Sequence, residues 1–172
     1  AENKNGSSVI EIVVKDDGGV QDGGVDSISV SFNATVNPVN DPPSSFGAIG
    51  EYLLGSGQYL PGTDFRTLYI TPENVADSIK FVWDPAQDVD GDNVQYRMIG
   101  YQGLEFLSMT TYTSDNFKTW ALKDLIAQTD TVTVSEGAWN VIATDGQSFK
   151  TASAVGGQLR VDGRQLIPDV LE

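Results

Sequence analysis

A chain of 172 residues has room for one full domain and part of another. It holds 24 acidic against 10 basic residues, a formal net charge of −14, and neither cysteine nor histidine. Those absences exclude disulfides, Cys/His zinc sites and any triad or general base built on histidine, and the acidic balance argues against nucleic acid and anionic membrane as partners.

Strand patterns open the chain. Ile10, Ile12 and Val14 alternate with Glu11, Val13 and Lys15. Ile28, Val30, Phe32, Ala34 and Val36 alternate strictly with polar residues, the pattern of a half-buried strand. Between them, Asp16 to Gly24 is rich in Asp and Gly, which supply positive φ and side-chain-to-backbone hydrogen bonds. Residues 1–36 therefore read as a β-hairpin. Pro38, Pro42 and Pro43 cannot lie in a central strand or a helix, so 37–43 reads as an extended linker.

The same grammar returns over residues 44–164. Ile79/Phe81/Trp83, Val94/Tyr96/Met98, Trp139/Val141/Ala143 and Leu159/Val161 each alternate, and turn residues separate them. Short strands of this kind predict an all-β fold, an immunoglobulin-like β-sandwich of about seven strands with Trp83, Tyr96, Trp139 and Val141 in its core. Residues 120–128, with apolar residues at helical spacing, predict a helix of about two turns. Residues 165–172 read as a tail, and Leu171-Glu172 as a cloning scar.

Val13–Gly18 resembles Val141–Gly146 when Asp17 is set against Asp145, an offset of 128 residues. The chain thus reads as the last two strands of one module, a linker and one complete module. A hairpin alone is marginal in water. The hairpins of two chains are expected to pair edge to edge or face to face, as a two-fold homodimer.

Asp88-Val89-Asp90-Gly91-Asp92 sets three carboxylates within five residues. Like charges this close need solvent, backbone N–H groups or a cation. An Asp/Gly loop of oxygen ligands suits calcium; it is equally an ordinary hairpin turn. The glycine spacing is not that of an EF-hand. In a sandwich with strands at 78–84 and 138–144, Asp88, Asp90 and Asp92 share a pole with Asp145, and the chain enters there through Asn40 and Asp41. Trp120, Tyr52, Tyr59, Tyr101 and Tyr112 lie in less regular segments and read as a lid over the core, the alternative being an exposed row for sugar stacking.

Val13–Pro43, with its Asn40-Asp41-Pro42-Pro43 junction, resembles the closing strands of bacterial cadherin-like tandem repeats. Residues 83–99 are similar to the Asp-x-Asp segment of cadherin-like and fibronectin type III-like bacterial domains, and Ala143-Thr144-Asp145 to the Ala-x-Asp motif. The resemblance implies a non-enzymatic, calcium-stabilised structural or adhesion module of a large bacterial cell-surface or secreted protein. Its partners would be neighbouring repeats, another surface protein or a polysaccharide. The alternative is an accessory carbohydrate-binding sandwich of a secreted polysaccharide-active enzyme.

Overall fold

Side chains that alternate along a strand can seal one face of a sheet and leave the other to water, and most of this chain is built on that rule. The computed structural model describes residues 4–55, 57, 59–61, 66–128, 134–153 and 157–166. It is all-β, with one short helix and a few 3-10 turns. Leu171-Glu172 lies outside the described residues. The chain divides into two compact units, residues 1–40 and 41–172.

In the first unit, β1 (Gly6–Lys15) and β2 (Ser27–Val36) run antiparallel without a register break from Gly6↔Val36 to Lys15↔Ser27. Ile10↔Phe32, Ile12↔Val30 and Val14↔Ile28 are opposite pairs. All therefore lie on one face, as alternation requires. β1 is exposed along its whole length, and β2 everywhere but the half-buried Ala34.

The second unit carries two sheets. One has the order β4 (Tyr59–Pro61), β3 (Ala48–Leu53), β6 (Ser78–Trp83), β8 (Phe117–Ala121), antiparallel throughout. The other is centred on β9 (Val134–Thr144), which pairs β7 (Gln95–Tyr101) along one edge. Its other edge is shared by β10 (Phe149–Thr151) and β11 (Gly157–Asp162). β5 (Arg66–Tyr69) joins β11 in parallel. The described part of the module thus holds nine strand segments against the seven expected. β4 is a short return, and β10 and β11 occupy successive stretches of the same edge.

Ile79, Phe81 and Trp83 of β6, Met98 of β7 and Trp139, Val141 and Ala143 of β9 are fully buried, and Tyr96 nearly so. Phe81 meets Trp139 edge to face at 5.1 Å, a contact between the two sheets. Trp83 and Phe46 pack on Tyr96 at 5.9 and 5.8 Å.

The helix is shorter than its sequence pattern. Trp120 and Ala121 belong to β8, where they pair Ile79 and Ser78. Ladder hydrogen bonds along β6 outcompete local helix propensity, which is a weak prior. α1 begins at Leu122 and runs to Gln128. Its Leu122 and Leu125 are buried, completing the core at that end.

The boundary between the units falls after Asn40, which places Asp41, Pro42 and Pro43 in the second unit. Pro43 is buried, and Ser44 N–H donates to Gln87 O at 2.7 Å.

Phe81 has no room to be lost. Phe81→Ala is expected to cost about 3–5 kcal/mol in urea unfolding. Phe149→Ala, at an exposed position of β10, is expected to stay within about 0.5 kcal/mol.

Candidate functional site

The β6–β7 connection, residues 84–94, carries the acidic triplet. Its base is pinned by Tyr96, whose phenol accepts from Ala86 N–H at 2.8 Å and lies 3.3 Å from Ala86 O. Burial raises the Tyr96 pKa above the usual phenol value, against that backbone hydrogen bond.

Beyond the anchor, Asp88 organises the turn. Its Oδ1 accepts from Asp90 N–H at 2.9 Å and Asp92 N–H at 3.3 Å. Gly91, at φ +85°, supplies the left-handed residue that closes it. The other Asp88 oxygen, Oδ2, is buried and has no hydrogen-bond partner. Such an atom is costly in a charged group and fits a cation.

Asp90 turns toward the incoming chain, where its Oδ2 accepts from Asp41 N–H at 2.8 Å. Ser44 runs alongside, its Oγ accepting from Gln87 N–H at 2.8 Å. Asp41, Asp88 and Asp90 are thus linked by hydrogen bonds, and Asp92 joins them through its backbone. Asn40 is the last residue of the first unit, one position ahead of Asp41.

Asp145 follows Thr144, which pairs Gln95 at the start of β7. It therefore lies at the same end of the sheet as the acidic loop, the pole expected from topology. Its Oδ1 accepts from Gln147 N–H at 2.7 Å and Ser148 N–H at 2.5 Å, capping its own turn. Among the described residues, no three acidic side chains form a metal-holding group.

A cleft of about 650 Å³ opens beside this loop, lined in part by Asp88, Asp92, Asn93, Ser114, Asp115 and Asn116. Asp115 and Asn116 come from the segment before β8 and carry no sequence motif. In the first unit, the Asp16–Asp26 loop uses its carboxylates on itself: Asp16 accepts from Gly18 N–H at 3.0 Å and Asp26 from Gly19 N–H at 3.1 Å.

The aromatics form cation–π pairs. Arg97 lies over Tyr112 at 5.2 Å and Lys118 over Trp120 at 5.0 Å. Tyr101 is exposed, and the side chains of Tyr52 and Tyr59 lie outside the described residues.

A second polar cluster escaped the sequence reading. Glu51 of β3 is fully buried between the sheets. Its carboxylate accepts from Trp139 Nε1–H and from the Arg66 guanidinium. No periodic signal marks it, because a bulge between Ala48 and Gly50 breaks the alternation of β3 ahead of Glu51. Burial pushes its carboxyl up to about 7, outweighing the indole N–H and the Arg66 charge, which both pull it down. Asp162, also buried, is held below its usual value, chiefly by its hydrogen bonds to Arg164.

Compared with family models, curated proteins and solved structures, the chain matches none.

The Glu51 shift has a signed consequence. Below pH 4.5 the carboxyl keeps its proton folded or unfolded. From there to about pH 7 only the unfolded chain releases it, so this group's contribution to stability is lost as pH rises through that window. Between those two pH values, the stability difference between the native protein and Glu51→Gln should shift against the native protein by about 3 kcal/mol. Urea titrations at each pH measure it.

Proposed function

We propose that the chain is a non-enzymatic structural module of a large bacterial cell-surface or secreted protein, and that calcium braces the point where the chain enters the module. The observation that carries the cation is Asp88 Oδ2, a buried carboxylate oxygen with no hydrogen-bond partner. Two residues further along the turn is Asp90, whose carboxylate holds the incoming backbone at Asp41.

Asp88 Oδ2 would hold the ion through a hard carboxylate oxygen, and the side chains of Asp90 and Asp92, with Asp145 from the same pole and Asp41 from the incoming chain, would turn toward it on binding. When bound, calcium offsets the like charges of the loop and cross-links it to the residues before Ser44. A net charge of −14 favours cation binding in the same sense.

The strand order supports the immunoglobulin-like description of the module. β3 pairs β6 in one sheet, while β5, which lies between them in the chain, crosses to run parallel to β11 in the other. Such a domain presents loops at both ends and can be joined end to end, which suits a spacer or adhesion role. A non-enzymatic reading also draws support from Glu51, the carboxyl lifted to about 7, because it is sealed between the sheets.

Thermal unfolding with and without calcium tests the proposal. Calcium at a hundred times its dissociation constant should stabilise the folded state by about 2.7 kcal/mol. The gain should disappear in Asp88→Asn and Asp90→Asn. An unchanged melting temperature at millimolar calcium would overturn the cation reading.

A further inference from the structure

One edge of β7 pairs β9, and the segment after β7 runs along the other. Met109 N–H donates to Met98 O at 2.9 Å, Gly100 N–H donates to Ser108 Oγ at 3.0 Å, and Thr113 and Tyr96 exchange both backbone hydrogen bonds. The chain then enters β8, an edge strand of the other sheet. Between this segment and β8 lies a cavity of about 290 Å³, lined in part by Ser108, Thr110 and Thr111 and by Lys118 and Trp120 of β8.

Lys118 stands opposite Phe81 in the ladder, and Trp120 opposite Ile79. Residues directly opposite share a face, so both lie on the core-facing side of β8, where Phe81 and Ile79 are fully buried. Lys118 is half-buried, with its ammonium 5.0 Å from the Trp120 ring. Among the described residues it forms no ion pair. Trp120 Nε1 is buried and has no hydrogen-bond partner. Two donors on the wall of one cavity therefore lack an acceptor, and donors withdrawn from water call for one.

The other walls define what that acceptor belongs to. No aspartate or glutamate is among the described lining residues, in a chain that carries 24. The cleft beside Asp88 is the reverse, with three aspartates and no lysine or arginine. Thr110 and Thr111 carry hydroxyls that both donate and accept, and Ser108, whose Oγ accepts from Gly100, keeps its O–H to donate. Phe106 and Met109 add apolar surface. The volume matches the small end of ligand pockets, about 300 Å³, room for a single ring. An inward lysine on an edge strand also blunts edge-to-edge pairing, but that role needs neither a cavity nor hydroxyls around it.

We propose that this cavity binds one sugar ring bearing a carboxylate, a uronate unit of an acidic polysaccharide, with Lys118 on the carboxylate, Ser108, Thr110 and Thr111 on the ring hydroxyls, and Phe106 and Met109 against the C–H face. The inference rests on the surface-module reading, whose partner it names by chemistry, and it does not depend on calcium.

Glucuronate oligomers titrated into this chain in chelator, followed by the indole N–H resonances, test it. The Trp120 signal should shift saturably at millimolar ligand, while that of Trp139, whose N–H Glu51 accepts, stays in place. Lys118→Met keeps the stem, drops the charge and should weaken binding at least tenfold. Should that variant fail to fold, Thr110→Val combined with Thr111→Val, both at exposed positions, should weaken binding several-fold and leave the melting temperature unchanged. Neutral glucose oligomers and acetate should each bind at least tenfold more weakly than the uronate. A Trp120 signal that does not move, equal binding of the neutral oligomers or of acetate, or full affinity in either variant would overturn the inference. Uronate oligomers that bind and are recovered shortened would confirm the site and overturn the non-enzymatic reading instead.

Discussion

Trp139 carries two unlike obligations at one point between the sheets. Its ring meets Phe81 edge to face, and its N–H needs an acceptor because the indole is fully buried. Glu51 is that acceptor, and Glu51 in turn needs a cation near it, which Arg66 of β5 provides. One aromatic residue on β9 thereby links β6 and β3 of one sheet with β5 of its own. A buried ion pair of this kind is not a source of stability in itself, since desolvation offsets much of the attraction. What it does is tie β3, β5 and β9 together through three side chains at one point.

With the sheets fixed, the pole follows. β6 and β7 end and begin where β9 ends, so their connection and the residue after Thr144 lie at one end of the module. The tyrosine that packs under Trp83 also pins the loop through Ala86. The acidic residues then divide their labour. Several oxygens accept backbone N–H groups and shape the turns. Asp88 Oδ2 has no such use, and it separates a candidate ion site from a plain Asp-Gly turn.

The two hairpins show how far one local pattern can go. Both end a strand with an aspartate that caps its own turn, and both alternate apolar and polar residues. The inner face of β9 lies in the core, while β1 and β2 are open to water. The difference is whether an opposing sheet is present, a non-local property.

The elements whose signal is periodic were legible from the residues alone. β2, β6, β7 and β9 follow alternations that could be read directly, and Trp83, Tyr96, Trp139 and Val141 are buried because their phase left no other face for them. The shared pole of the acidic loop and Asp145 was equally legible, because strand direction alternates. Long-range contacts settled the rest. Trp120 and Ala121 joined β8 because β6 offered them ladder partners. Glu51 was buried because an indole N–H and a guanidinium from distant strands met it there. Periodicity is a property of neighbours along the chain. Partners, registers and buried charges are set by residues far apart in it, and only the folded chain brings those together.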